Sequence, residues 1–294
     1  MLNIIDIPKT GLCFVGDIHG DFPNLAGLMK HTELTDTAYI ICGDCGFGFN
    51  KPEYYKQILG KVEKTAAKLD NVFFFLRGNH DDPSYFDGKT IDFPNFYAMP
   101  DYTVIRTPIY NVLCVGGAVS VDRIDRMRMQ CKIENDYMRF HKCSINAAKE
   151  KCDKVYWPDE LPAYDEESLN ELNEMGIKID IVCTHTSPSF AQLTNKNGVK
   201  YWTDMDNTLA EDLFTERNVM DQIYDKLKSD GHPLYKWFYG HFHQHFNELI
   251  DGTQFIMLDM CRNGNFDMYN EAFPNDKMVG NQSYFLTIST KTDK

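Results

Sequence analysis

Short apolar runs that end at a glycine and a polar residue recur along the first third of the chain. They are Leu12-Cys13-Phe14-Val15 before Gly16-Asp17, Ala38-Tyr39-Ile40-Ile41-Cys42 before Gly43-Asp44, and Val72-Phe73-Phe74-Phe75-Leu76 before Arg77-Gly78-Asn79-His80. A run that is apolar at every position is typical of a strand buried on both faces. Residues 23–31 and 53–69, which lie between these runs, have the periodicity of amphipathic helices. The alternation predicts an α/β fold with polar residues gathered beyond the carboxyl ends of its strands.

The later chain continues this alternation. Residues 112–115, 179–183, 237–239, 255–258 and 284–288 are strand candidates, and residues 166–175 and 205–227 are predicted helices. No repeat, low-complexity segment or Gly/Ser linker interrupts the pattern, which favours one domain over residues 1–294. Residues from about 120 to 164 are less patterned and are predicted to form an insertion laid over the scaffold.

Composition limits the classes of partner and compartment. Hydrophobic residues make up 43% of the 294 residues, enough for a large core, and the net charge is -13. A chain this acidic repels polyphosphate backbones, so we expect no bulk nucleic-acid binding. No stretch approaches the roughly 18 apolar residues of a membrane span, and the start of the chain lacks the apolar run of a signal peptide. The nine cysteines are odd in number, and several lie inside apolar runs, so a reducing cytoplasm is the expected location.

Five short polar segments carry residue types that bind metals. They are Gly16-Asp17-Ile18-His19-Gly20, Gly43-Asp44, Gly78-Asn79-His80-Asp81, Thr184-His185-Thr186 and Gly240-His241-Phe242-His243. Asp17 and His19, two residues apart, point the same way on an extended backbone and suit one cation. Any one segment is weak evidence, because a bare Gly-Asp is most often a turn. All five together, in this order and at strand ends, are highly specific.

This set resembles the calcineurin-like metallophosphoesterase superfamily, whose blocks run Asp-x-His, Gly-Asp, Gly-Asn-His, His and Gly-His-x-His. The match extends from Asp17 to His243. The resemblance implies an αββα sandwich of two mixed β-sheets flanked by helices. It also implies roles for eight residues: Asp17, His19 and His243 hold one metal, Asn79, His185 and His241 hold a second, Asp44 bridges both, and His80 stands with Asn79 beside the substrate.

The implied chemistry is hydrolysis of a phosphate mono- or diester. Two divalent cations clamp the phosphate and lower the pKa of a bridging water, so that a hydroxide attacks phosphorus while His80 assists departure of the leaving group. Carboxylate, imidazole and amide ligands suit Mn, Fe, Zn or similar ions. The residues do not separate a monoesterase from a diesterase, because the same metal pair serves both.

The chain departs from two well-known branches of the superfamily. Protein serine/threonine phosphatases follow the bridging aspartate with Asp-Arg-Gly, whereas Asp44 is followed by Cys45-Gly46-Phe47-Gly48, and their Asn-His-Glu is Asn79-His80-Asp81 here. Serine/threonine phosphatase activity is therefore the alternative and not the favoured function. Purple acid phosphatases have an iron-binding tyrosine where this chain has Phe47, so a purple iron centre is not expected.

An arginine-rich segment follows the strand candidate at 112–115. Arg123 or Arg126 is a candidate phosphate ligand in place of the missing arginine; alternatively, these arginines pair with Asp122 and Asp125 on the surface. Similarly, the stretch from Tyr156 to Pro162, a Trp-Pro-acidic sequence, either rims the pocket or packs structurally.

A last alternative is a binding scaffold that has lost catalysis. Such a relic shows substitutions at several ligands. Every predicted ligand and His80 are present in this chain, which disfavours the scaffold.

Overall fold

The apolar runs of the sequence form the central strands of two seven-stranded β-sheets. The computed structural model describes residues 2–194, 198–261, 268–271 and 284–285, the last two ranges as backbone only. The strands are β1 (Asn3–Asp6), β2 (Gly11–Val15), β3 (Thr37–Ile41), β4 (Val72–Phe75), β5 (Asp92–Phe93), β6 (Phe96–Ala98), β7 (Thr103–Arg106), β8 (Asn111–Val115), β9 (Ile181–Thr184), β10 (Lys236–Tyr239), β11 (Phe246–Ile250), β12 (Thr253–Met257), β13 (Met268–Glu271) and β14 (Tyr284–Phe285). The α-helices are α1 (Phe22–Thr32), α2 (Pro52–Lys68), α3 (Arg123–His141), α4 (Ile145–Lys151), α5 (Glu166–Glu174), α6 (Val199–Thr203) and α7 (Leu209–Ser229), and Pro83–Tyr85 forms a 3-10 turn.

Both sheets are mixed. The first has the order β1-β7-β8-β9-β10-β12-β11, in which β8, β9, β10 and β12 are parallel. The second has the order β14-β13-β2-β3-β4-β6-β5, in which β2, β3, β4 and β6 are parallel. With helices on their outer faces, these sheets confirm the predicted fold class.

An apolar layer joins the two sheets. The rings of Phe14 on β2 and Phe238 on β10 stack with centroids 3.9 Å apart, and the thiols of Cys42 and Cys183 lie 3.5 Å apart in the same layer. Helices α1 and α2 cover the outer face of the second sheet, while α5 and α7 cover that of the first. Each central strand is therefore buried on both sides, which explains its continuous apolar sequence.

The segment at 120–164 is more regular than predicted, because it contains the 19-residue α3 as well as α4. The buried side chains of α3 are Arg123, Gln130 and Glu134, so the helix lacks the apolar stripe by which sequence reasoning detects a helix. Whether this segment is an insertion, and whether residues 1–294 form one domain, stay predictions.

Several strand and helix boundaries differ from the expectations. Helix α7 begins at Leu209 rather than 205, and the short edge strands, such as β5 and the largely exposed β11, were not predicted. Edge strands bury little apolar surface, so they lack the signal of the central strands. Of the candidate at 284–288, Tyr284–Phe285 is a strand, and the remainder lies outside the described residues. Within the described part of the chain, no helix has the length and apolarity needed to cross a membrane.

Candidate metal centre

Five loops that follow central strands carry the predicted ligands. These loops come after β2, β3 and β4 of one sheet and after β9 and β10 of the other. His19, Asp44, His241 and His243 have φ values of 43°, 46°, 67° and 52°. Non-glycine residues rarely adopt this left-handed conformation, and it concentrates at functional sites because the surrounding structure must enforce it. The strained backbone turns these side chains towards one another.

Glycines beside the ligands provide space for ligand side chains. A Cβ atom on Gly78 would lie 2.1 Å from Asp44 Oδ1, and one on Gly240 would lie 2.0 Å from Asp17 Oδ1. These separations are far below van der Waals contact, so any larger residue would displace a predicted ligand. At these two positions the carboxylates of Asp44 and Asp17 fill the space that a side chain would take.

A first cluster consists of Asp17, His19 and His243. The Nε2 atoms of the two histidines are 3.1 Å apart, and His243 Nε2 lies 3.1 Å from Asp17 Oδ2. Both imidazoles are half-buried, whereas the carboxylate is fully buried. Together with Asp44, their donor atoms all lie within 4.8 Å of one another, which is a separation that one cation can span.

A second cluster consists of Asn79, His185 and His241, all buried. Asn79 Oδ1 lies 3.0 Å from His185 Nε2 and 2.9 Å from His241 Nδ1. The Nδ1 of His185 is 2.7 Å from the carbonyl oxygen of Cys42. Because a carbonyl only accepts hydrogen bonds, Nδ1 carries a proton, and Nε2 is the ring nitrogen that faces the cluster.

Asp44 lies between the two clusters. Its Oδ1 is 3.2 Å from His185 Nε2 in the second cluster, and its Oδ2 is 3.9 Å from His19 Nδ1 in the first. Burial raises the pKa of Asp44, but the neighbouring His80, His185 and His19 outweigh burial and hold that pKa well below its ordinary value. An ionised carboxylate with one oxygen towards each cluster has the disposition of a bridging ligand.

The donor atoms of both clusters fit a pair of divalent cations. Lone pairs of carboxylate, imidazole and amide groups converge at about 3 Å, and without a shared proton such groups repel one another. A cation resolves this repulsion, and the oxygen and nitrogen ligands suit Mn, Fe or Zn. Thiolates do not contribute, since the nine cysteines are free and none belongs to either cluster.

Comparison with known proteins assigns the family. The model of the calcineurin-like phosphoesterase family matches residues 12–245, well over half of the chain. The chain belongs to this family. Among solved structures, a dimetal phosphatase from Danio rerio is 12% identical, covering 90% of this chain and 93% of that one with a TM-score of 0.46. A protein from Thermus thermophilus is 9% identical, covering 88% and 93% with a TM-score of 0.46. No curated protein sequence matches the chain.

His80 lies beside the candidate metal centre. Its backbone N–H donates to Asp44 Oδ1 at 2.8 Å, and its Nε2 is 4.0 Å from Asp44 Oδ2. The Nη2 atom of Arg126 lies 3.0 Å from Nδ1 and 2.9 Å from Nε2 of the His80 ring. Burial lowers the pKa of His80 to about 4, and the positive charge of Arg126 acts in the same direction. The guanidinium group of Arg126 therefore lies against the His80 ring, and a phosphate contact by Arg123 or Arg126 stays a prediction.

The two arginines of this segment have different surroundings. Arg126 pairs with Asp122 through Nε at 2.9 Å while its Nη2 faces His80. The guanidinium of Arg123 is held instead by Asp206 at 2.7 Å and Asp212 at 2.6 Å. These two carboxylates occupy the Arg123 side chain, so its surroundings favour a structural role.

Sequence reasoning missed a hydrogen-bonded chain behind Asn79. The Nδ2 of Asn79 donates to Ser120 Oγ at 2.9 Å, and Ser120 Oγ donates to Glu160 Oε2 at 2.7 Å. This chain orients the amide so that Oδ1 faces the second cluster. The Trp-Pro-acidic stretch thus lies behind the site: Trp157 packs edge-on against Phe49, with ring centroids 5.0 Å apart, and Glu160 is buried beside Ser120. In the sequence, the unusual composition of the Trp-Pro-acidic stretch was the signal that could have pointed to this role.

Sequence reasoning also missed that the Asp81 side chain supports the site. Its buried carboxylate accepts four backbone N–H groups, from Gly78, Cys45, Gly46 and Phe47, at 2.7–2.9 Å. Burial and the charge of Asp44 raise the pKa of Asp81 to about 7, whereas the four N–H groups favour its ionised form. Asp81 therefore ties the loop of the bridging aspartate to the loop of Asn79. In the sequence, the position of Asp81 directly after His80 was the signal that could have pointed to this role.

Proposed function

We propose that this protein is a two-metal phosphoesterase that hydrolyses phosphate mono- or diesters. The observation that carries the proposal is the position of Asp44, with one carboxylate oxygen towards each of two clusters of metal-binding side chains. Two bound cations, of the Mn, Fe or Zn type, would supply the positive charge that stabilises the phosphoryl oxygens and the hydroxide that attacks phosphorus.

The protein's own groups position the ester. Arg126 donates to the phosphoryl oxygens from the side of the site on which its guanidinium contacts His80. His80, held to Asp44 through its backbone N–H, donates a proton or a hydrogen bond to the departing oxygen. The amide of Asn79 is fixed by Ser120, so that its oxygen stays directed at the second cluster.

A cytoplasmic location is part of the proposal. The supporting observation is that seven of the nine cysteines are buried, where a thiol packs as a small apolar side chain. A reducing compartment keeps such thiols reduced.

The test compares release of p-nitrophenolate from p-nitrophenyl phosphate and from bis-p-nitrophenyl phosphate. Protein stripped by a chelator is assayed with and without Mn²⁺, beside Asp44→Asn and the matched control Asp92→Asn, whose carboxylate is exposed on β5. We expect turnover that requires the metal, persists in Asp92→Asn and is lost in Asp44→Asn. The preferred ester then distinguishes monoesterase from diesterase. Turnover that is independent of metal, or that survives Asp44→Asn, contradicts the proposal.

A further inference from the structure

A cavity of about 330 Å³ lies beside the second cluster, between α7, α6 and the loops that follow β9 and β10. Its walls include the side chains Val199, Leu213, Phe214, Arg217, His241 and Phe242. Its volume is at the lower end of those that hold small molecules, and a cavity lined mainly by apolar and aromatic groups is typical of such sites.

The cavity and the metal centre share one residue, His241. The Nδ1 of this histidine is 2.9 Å from Asn79 Oδ1 in the second cluster, and the same side chain lines the cavity. A group that occupies the cavity therefore lies against a side chain that also belongs to the second cluster. The cavity is placed to receive the organic part of the ester.

Two phenyl rings give the cavity an aromatic character. Phe242, the residue between His241 and His243, is buried and packs edge-on against Tyr239, with ring centroids 6.2 Å apart. Phe214 projects from α7 with 71% of its surface exposed. An exposed phenyl ring at the mouth of an apolar cavity gains a large buried area when a second ring packs against it.

Arg217 fixes the inner wall. Its guanidinium carbon lies 5.1 Å from the centroid of the Phe242 ring, and Nη1 donates to Ser187 Oγ at 2.8 Å. Nη2 donates to the carbonyl oxygen of Ala191 at 3.2 Å. These contacts hold the loop after His185 and the Phe242 ring in place, so the wall is preorganised before a ligand binds.

We propose that this cavity binds a planar aromatic group of the phosphate ester, so that aryl or heteroaryl esters are preferred to esters of small polar alcohols. The inference rests on the proposed function, since it names the substrate class of the same site.

The test is the ratio of two kcat/KM values, for 1-naphthyl phosphate and for glycerol 2-phosphate, measured with Mn²⁺. Comparing variants by this ratio cancels the intrinsic difference between the leaving groups. We expect Phe214→Ala to lower the ratio about tenfold. The matched control is Phe140→Ala on α3, which removes a phenyl ring that is 83% exposed elsewhere, and it should leave the ratio unchanged. A change of less than about twofold in Phe214→Ala overturns the inference.

Binding of compounds that cannot be hydrolysed separates this inference from the proposed function. Calorimetry in Mn²⁺ compares 1-naphthylphosphonate with methylphosphonate. The wild-type chain should bind the naphthyl compound more tightly, and Phe214→Ala should reduce that preference. Preferential binding without turnover of any ester overturns the hydrolase alone, whereas metal-dependent turnover without an aromatic preference overturns the aromatic site alone.

Discussion

Replacing Ser120 by alanine should weaken one of the two predicted metal sites while leaving the other intact. Ser120 Oγ accepts a hydrogen bond from Asn79 Nδ2 at 2.9 Å and donates one to Glu160 Oε2 at 2.7 Å. Ser120→Ala deletes both bonds in a fully buried position. The Asn79 amide then loses the contact that directs its oxygen towards His185 and His241.

The magnitude follows from these two bonds. A buried polar group that loses its partner costs about 1–3 kcal/mol. Ser120→Ala should therefore lower the free energy of unfolding by a few kcal/mol. Groups that orient a metal ligand typically contribute roughly 10- to 100-fold in metal affinity. That range corresponds to roughly 1.4–2.8 kcal/mol at the second cluster. Affinity at the first cluster should change little, because the Ser120 hydroxyl bonds Asn79 and Glu160, neither of which belongs to that cluster.

The assay is calorimetric titration of chelator-stripped protein with Mn²⁺, together with urea unfolding. Ser168→Ala is the matched control, because Ser168 is equally buried and donates to the Asp165 carboxylate at 2.6 Å. Both variants should lose comparable stability, and only Ser120→Ala should bind the second ion more weakly. Two ions bound with unchanged affinity in Ser120→Ala would refute the orienting role of this hydroxyl.

Three further predictions concern the groups around the site. Burial raises the pKa of Glu160 from 4.5 to about 7, so the folded chain binds this proton more tightly than the unfolded chain does, and stability from this group falls as pH rises through that window. Glu160→Gln should therefore gain stability relative to wild type, by up to roughly 3 kcal/mol at about pH 8; a difference in urea unfolding that does not vary with pH contradicts this. Asp81→Asn places an amide NH₂ against backbone donors and should lower the free energy of unfolding by about 3 kcal/mol or more at about pH 8, measured by thermal unfolding. The control Asp82→Asn changes a neighbouring carboxylate that accepts from Ser84 near the surface, and it should lower stability by less than about 1 kcal/mol. Equal losses in the two variants contradict the prediction. Arg126→Ala should raise KM for p-nitrophenyl phosphate by about tenfold or more. Arg123→Ala leaves two carboxylates without their cation, so it should lower stability by roughly 2–4 kcal/mol with KM unchanged. Equal changes in KM for the two variants contradict the prediction.

The central strands and the loops that follow them could be predicted from the sequence because their signals are local. A strand covered on both faces must be apolar at every position, and runs such as Val72–Phe75 show this directly. Ligands placed just after such runs meet in space because parallel strands present their carboxyl ends at one edge. That is why Asp17, Asp44 and Asn79 could be grouped before any coordinates were known.

The elements that escaped prediction depend on contacts between distant parts of the chain. Helix α3 buries Arg123, Gln130 and Glu134, and polar residues become interior only when partners from elsewhere satisfy them. The pairing of Ser120 with Glu160 joins residues 40 positions apart, and no periodicity reports it. Asp81 was visible as a departure from Asn-His-Glu, but its four backbone donors come from loops whose approach only the fold defines.

The two departures from the serine/threonine phosphatases form one coupled replacement. In those enzymes the residues after the bridging aspartate provide an arginine for phosphate; here Asp44 is followed by Cys45, Gly46 and Phe47, whose N–H groups bind Asp81. These residues carry no positive side chain, so the loop presents no cation to the substrate. We infer that the cation comes from α3, whose Arg126 contacts His80, and that the segment at 120–164 therefore serves the site twice, since its Glu160 also supports Asn79 through Ser120. A chain that regained Asp-Arg-Gly after Asp44 would then no longer require an arginine at position 126.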